Sequence, residues 1–74
     1  MDFKTATDRA IGACITLQDI ADAASVSHNS IRRARLKPNG NSYRTPPDAW
    51  ESAIAKLARE RAAELVKLAE KLEG

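Results

Sequence analysis

The chain has 74 residues, a formal net charge of +2 and 43% apolar residues, which suffices for one small core and excludes two independently folded domains. One Phe, one Trp and one Tyr are its only aromatic residues, so the core must consist mainly of small aliphatic side chains, and this favours close-packed helices. A single cysteine excludes an intrachain disulfide and a cysteine-rich zinc site, and it indicates a reducing compartment.

Helical spacing of apolar and small residues predicts the first two helices. The first spans about residues 3–14, takes Asp2 as its N-cap and includes Cys14 as a small core residue. The second spans about residues 17–24. A T-x-x-D capping box at residues 16–19 marks its start. In this box the Thr side chain accepts a backbone N–H of the first turn, and the Asp side chain reaches back to the backbone N–H of the Thr.

The rest of the chain predicts a third and a fourth helix. Ser27 is a second candidate N-cap, and the third helix spans about residues 28–37. After a loop rich in Pro, Asn and Ser, Thr45 is the expected cap of a long helix over about residues 47–72, which Trp50 packs onto the others. The fold class is therefore all-α: a three-helix bundle that contains a helix-turn-helix, followed by a long C-terminal helix, in a single domain.

Positive charge is concentrated in one segment of the chain. Residues 27–47 carry five basic side chains and no carboxylate. Residues 1–26 carry two basic and four acidic side chains, and residues 48–74 carry five basic and six acidic ones. Such segregation points to a polyanionic partner more strongly than the net charge does.

The basic segment overlaps a recognisable motif, TLQDIADAASVSHNSIRRARL at residues 16–36. It resembles the helix-turn-helix of lac-repressor-type and tetracycline-repressor-type bacterial regulators, in which a capped T-L-x-[DE]-[IV]-A helix, a small residue, Val and Ser precede the DNA-reading helix. The matching residues are Thr16, Leu17, Asp19, Ile20, Ala21, Ala24, Val26, Ser27 and Ile31. Ser25 stands where those motifs usually have glycine, which accepts the left-handed backbone of the turn. Neither family's ligand-binding domain is present in these 74 residues, so small-molecule regulation is not carried over.

The resemblance implies roles for individual residues of the motif. Its base-contact positions are His28, Asn29 and Arg33, and its phosphate-contact positions are Thr16, Ser27 and Ser30. Side-chain chemistry agrees, because Asn pairs bidentately with adenine and Arg with guanine in the major groove. Charge and position add further phosphate contacts at Arg32, Arg35, Lys37, Tyr43 and Arg44.

The fourth helix is too long to be covered by the small bundle before it. A heptad seam runs along it through Ile54, Ala58, Arg61, Leu65, Leu68 and Leu72, flanked every seven residues by Ala55, Ala62 and Ala69. This pattern predicts a homodimer interface. The alternative is that these leucines fold against the first helix of the same chain. A symmetric dimer would place two reading helices about 34 Å apart on a pseudo-palindrome.

The leading hypothesis is a small, sequence-specific DNA-binding transcription regulator of bacterial or phage origin. The runner-up is a DNA-recognition subunit of an assembly, similar to a phage terminase small subunit, which uses the same motif but forms a ring. A third hypothesis is a protein-binding adaptor that does not bind DNA. Stoichiometry separates the first two, and DNA retention at low salt separates both from the third.

Enzymatic activity is not expected from this sequence. The chain has one His, one Cys and no glycine-rich phosphate loop, so no nucleophile, base and orienting group can be assigned, and no metal, cofactor or small-molecule ligand is indicated. No apolar run approaches about 18 residues, and the N-terminus has no signal-peptide pattern. We therefore expect no membrane association and a cytoplasmic protein that reaches the nucleoid through DNA.

Overall fold

A computed structural model describes the whole chain, Met1–Gly74, and it is entirely helical outside its turns and loops. The four helices are α1 (Phe3–Gly12), α2 (Leu17–Ala24), α3 (His28–Ala34) and α4 (Trp50–Glu73). Helix α2 packs against both α3 and α4, and α1 packs against α4. The all-α class and the long C-terminal helix are thus confirmed. The molecule measures 53 × 20 × 18 Å, because α4 extends well beyond the bundle.

The core is built from small aliphatic side chains, as the composition requires. Ile20 and Ile31 are fully buried at its centre, and Trp50 packs against it from the start of α4. The Trp50 ring meets the Phe3 ring edge to face, with 5.2 Å between centroids and 88° between planes. Such aromatic pairs stabilise beyond the area they bury. The expectation that Trp50 anchors the last helix is confirmed.

Helix α1 ends at Gly12, two residues before the predicted end, and Cys14 lies outside the core. Cys14 is exposed and has a left-handed backbone with φ 67°. This conformation turns the chain so that Ile15 donates its N–H to the Ala10 carbonyl oxygen at 2.9 Å and becomes buried. The apolar residue that seals the end of α1 is therefore Ile15, and the prediction of Cys14 as a core residue was wrong.

Helix α3 ends at Ala34, three residues earlier than predicted. The N–H groups of Arg35 and Leu36 bond to carbonyl oxygens only three residues back, at 3.2 and 3.1 Å, which tightens the last turn. Pro38 then follows, and the residue before a proline avoids the helical region. Lys37 therefore lies in the connection to the loop.

Helix α4 begins at Trp50 rather than at about residue 47, and Thr45 is not its cap. The residue before the helix is Ala49, which offers no side-chain cap. The carbonyl oxygen of Pro47 accepts the Trp50 N–H at 3.1 Å, so the prolines form a turn ahead of the helix instead of its first turn. The end of α4, predicted at about residue 72, lies at Glu73.

The second half of α4 is exposed along its whole length. Arg61 is the last residue of α4 that is even half-buried, and Leu65, Leu68 and Leu72 remain 58%, 53% and 79% exposed. The alternative in which these leucines fold against α1 is therefore wrong. All buried residues lie in the bundle, at the end of the molecule that carries α2 and α3, and none lies in α4.

Candidate nucleic-acid interface

A left-handed residue makes the turn between α2 and α3. Ser25 has φ 58° and ψ 41°, and the Val26 N–H donates to the Ala21 carbonyl oxygen at 3.0 Å. Val26 is half-buried against the core. This left-handed conformation is the one that glycine adopts most readily, and Ser25 adopts it here. The cost of the conformation for a non-glycine residue is about 1 kcal/mol.

Side-chain caps fix the N-termini of both helices on either side of that turn. Thr16 and Asp19 form a complete capping box: the Asp19 N–H donates to Thr16 Oγ1 at 3.0 Å, and the Thr16 N–H donates to Asp19 Oδ2 at 2.9 Å. Ser27 Oγ accepts the Ser30 N–H at 3.1 Å and lies 2.9 Å from Ser30 Oγ. Two predicted phosphate contacts, Thr16 and Ser27, are thus helix N-caps, and the hydroxyl of a third, Ser30, is hydrogen-bonded to the Ser27 cap.

The two sides of α3 differ sharply in burial. Ile31 and Ala34 are buried on its inner side, whereas His28, Asn29 and Arg32 are exposed on its outer side. No carboxylate lies anywhere on α3. The inner residues hold the helix in the bundle, and the outer ones are free to meet a partner.

An open depression of about 490 Å³ lies beside this outer side. It brings together two predicted base contacts, Asn29 and Arg33, with Arg32. Lys4 of α1 and Ser42 of the following loop also line it. Sequence reasoning missed both, because the packing of α1 and the return of the loop decide which of their residues reach α3. His28 is not among the lining residues.

The loop after α3 returns to that helix. The Arg44 backbone N–H donates to the Arg33 carbonyl oxygen at 3.4 Å, which places Arg44 next to the C-terminal end of α3 with its side chain exposed. Tyr43 is half-buried and lines a second depression with Phe3 and Pro38. The ring of Tyr43 therefore belongs partly to the bundle, whereas Arg44 is the accessible cation of the loop.

Arg35 differs from the other arginines of the segment because it is engaged within the fold. Its guanidinium pairs with the Asp8 carboxylate of α1, and its Nε is buried without a hydrogen-bond partner. Lys4 also bonds to Asp8 at 3.1 Å. These interactions, that of Lys4 first, hold the pKa of Asp8 below its ordinary value. Arg35 thus ties α1 to the end of α3, and less of its charge is available to a phosphate than was predicted.

The residues predicted as a dimer interface are divided between two environments. Ile54 packs against the core of its own chain, and the Arg61 guanidinium lies 3.7 Å from the Asp19 carboxylate. Ala58 and the three leucines further along α4 are exposed. The accessible part of the predicted interface is therefore the second half of α4, while Ile54 serves the bundle.

None of the four helices combines the length and the apolar character needed to cross a bilayer. No protein-family model, no curated protein and no solved structure matches this chain.

Proposed function

We propose that this chain binds double-stranded DNA in a sequence-specific manner, as a small transcription regulator that places α3 in the major groove. The observation that carries this proposal is the outer side of α3, where His28, Asn29 and Arg32 are exposed beside the half-buried Arg33 and no carboxylate is present. This helix follows a left-handed turn after a capped helix. The major groove admits an α-helix and presents base edges to its side chains.

In this proposal Asn29 and Arg33 read bases, together with His28 at the start of α3. Asn29 and Arg33 border the same depression, so one bound duplex can meet both. Asn is suited to the N6 and N7 of adenine, and Arg to the O6 and N7 of guanine. Arg33 is the more constrained of the two, because it is half-buried and its backbone carbonyl holds the returning loop.

Other cations around α3 are assigned to the phosphate backbone. Arg32 and Arg44 are exposed, and Lys37 lies in the connection to the loop. Lys4 of α1 is paired with Asp8 and borders the same depression as Arg32. Phosphate contacts of this kind set affinity and register without reading sequence. The hydroxyls of Thr16, Ser27 and Ser30 lie at the helix N-termini and complete the assigned set.

We further propose that the chain acts as a homodimer through the second half of α4. One reading helix of seven residues provides few contacts, and linking two such modules raises the affinity for a site that carries two half-sites. The exposed leucines of α4 supply an apolar surface for that association.

The exposed second half of α4 also favours a second candidate function. A DNA-recognition subunit of a larger assembly would use α3 in the same way but bury α4 in a ring. Sedimentation separates the two, because the regulator gives a dimer and the assembly subunit a ring of about eight or more copies. A protein-binding adaptor would retain no duplex even at low salt.

Selection of bound duplexes from a random pool tests the proposed function. We expect enrichment of one sequence, arranged as two inverted half-sites. Affinity for it should fall steeply with salt, with a log–log slope of about 0.9 for every phosphate contacted. Arg32→Ala should reduce that slope by about one, whereas the matched control Lys67→Ala on α4 should not. A pool recovered without enrichment, or a slope near zero, would contradict the proposal.

A further inference from the structure

The exposed half of α4 carries more apolar surface than a simple heptad seam explains. Leu65, Leu68 and Leu72 lie on the seam, but Val66 lies to one side of it and is still 56% exposed. Ala62 and Ala69 lie between the leucines and Val66 on the helix surface. The apolar face is thus wide, and small residues line one of its edges. Small side chains allow a second helix to approach closely.

We propose that this face binds the same face of a second copy of the chain, with the two α4 helices antiparallel and Leu65 packed against Leu68 of the second copy. This register fixes every other pairing. Ala62 lies beside Ala69 of the second copy, and the two Val66 side chains meet at the twofold axis. Val66 is thereby accounted for, and both alanines occupy the line of closest approach.

Charge complementarity selects this direction. Glu64 and Lys71 border the leucines on the side away from the alanines. In the antiparallel register Glu64 faces Lys71 of the second copy, and the twofold axis repeats the pair. On the opposite border Arg59 lies level with Glu73 of the second copy. Four pairs of opposite charge therefore frame the apolar contact.

A parallel pair would lose these interactions. Parallel helices in register set each seam residue against its own counterpart, so Arg61 would oppose Arg61 within the seam. Glu64 would face Ala69, and Val66 would point away from the partner. In the antiparallel pair Arg61 lies level with Leu72 near the C-terminal end of the opposite helix, where a cation is favoured, and it keeps its contact with Asp19 of its own chain.

The antiparallel register has a consequence for spacing, and this part of the inference rests on the proposed function. The twofold axis passes close to Val66, whereas the bundle is attached to α4 between Trp50 and Leu57. At about 1.5 Å per residue the two attachment regions lie roughly 35–40 Å apart along the helix pair. Half-sites one turn of DNA apart are separated by about 34–36 Å.

Disulfide cross-linking of the full-length chain in a Cys14→Ser background tests the direction of the helices. The double variant A62C/A69C should form covalent dimers on mild oxidation, because position 62 of each copy lies beside position 69 of the other. The variant L72C should not, because the two copies of residue 72 lie about 16 Å apart along the axis. Covalent dimers of L72C in place of the double variant, or equal yields from both, would overturn the antiparallel register.

Charge reversal provides an independent measurement in the absence of DNA. In Glu64→Lys the introduced lysine faces Lys71 of the second copy, and the twofold axis repeats this repulsive pair. We therefore expect the dimer dissociation constant from sedimentation to rise about tenfold. The double variant E64K/K71E should restore it. Glu70→Lys makes the same charge change on the outer side of α4 and should leave it within about twofold. An unchanged constant for Glu64→Lys, or no dimer for the parent chain, would refute the pairing even if the chain binds DNA. A chain that dimerises as described without retaining duplex would refute the proposed function alone.

Discussion

The Asp19 carboxylate joins the start of α2 to the middle of α4: it accepts the Thr16 N–H at 2.9 Å and lies 3.7 Å from the Arg61 guanidinium. The hydrogen bonds from Thr16, its backbone N–H first, lower the pKa of Asp19 below the ordinary 3.8, and Arg61 adds to the effect. One side chain thus caps the helix that supports α3 and contacts the helix proposed to form the dimer.

This arrangement predicts how stability depends on pH. A carboxyl whose pKa is lower in the folded state stabilises the fold above its unfolded pKa, and this contribution is lost as the pH falls through the folded pKa. Because the pKa values of Asp2, Asp8 and Asp19 are all lowered, the free energy of unfolding should decrease from about pH 5 downwards. Denaturant titrations across that range provide the measurement.

The variant Asp19→Asn should flatten the same pH profile, because its amide cannot ionise. Asp22→Asn is the matched control on the same helix, where the carboxylate accepts only a hydrogen bond from Gln18 at 2.8 Å. If both variants follow the parent profile equally, the capping box does not contribute to acid sensitivity.

Replacing the left-handed residue of the turn should stabilise the protein. In Ser25→Gly the conformational penalty of a left-handed non-glycine residue disappears, partly offset by the greater freedom of glycine in the unfolded chain, so a gain of about 0.5 kcal/mol is expected. Ala23→Gly, two residues earlier and inside α2, should instead cost about 1 kcal/mol. Thermal unfolding of the two variants distinguishes them, and a loss of stability in Ser25→Gly would mean that the serine side chain has a role beyond the turn.

The edge-to-face contact between Phe3 and Trp50 should be among the most important for stability. Trp50→Ala removes a half-buried ring from the junction of α1 and α4, and a loss of about 2–4 kcal/mol is expected. Ile11→Ala, at an exposed position of α1, should change stability by less than about 1 kcal/mol. Circular dichroism during urea unfolding measures both, and equal effects would place the anchor of α4 elsewhere.

Much of this fold follows from local sequence signals. The side-chain caps at Asp2, Thr16 and Ser27 all form as their residue types predict, because capping depends on residues only three positions apart. The helix ends were less predictable. Cys14 and Lys37 both lie past a helix end that the apolar spacing did not reveal, since a left-handed residue and a tightened last turn leave no strong mark in composition.

The candidate site was predictable only in part, because some of its contacts join residues that are far apart in the sequence. Of the three base-contact positions that the motif implies, His28 and Asn29 are exposed and Arg33 is half-buried. The buried positions of α3 determine which of its residues lie on the outer side. The partner of Arg35 was not foreseen: Asp8 lies 27 residues away in sequence and meets it through the packing of α1. Contacts of this kind, like the approach of Lys4 to α3, depend on tertiary geometry that a single sequence does not specify.

Two arginines around α3 should differ in their effect on DNA binding. Arg33→Ala should cost about 1–3 kcal/mol on the selected duplex and relax preference at one base pair, because Arg33 is assigned to a base edge. Arg44→Ala removes a phosphate contact and should weaken binding to all sequences equally. Titrations against the selected and a scrambled duplex measure this difference, and identical behaviour of the two variants on both duplexes would exclude Arg33 as a base reader.

Ending the chain after Ala63 should separate folding from self-association. The shortened chain keeps Trp50, Ile54 and Leu57 against the core and keeps the contact of Arg61 with Asp19, while every exposed leucine of the last turns is removed. We therefore expect a folded monomer whose melting temperature at low concentration is within about 5 °C of that of the full chain. A chain that ends after Leu57 also loses Arg61 and should be monomeric but less stable. Sedimentation that still finds a dimer of either form would place the interface on the bundle and not on the second half of α4.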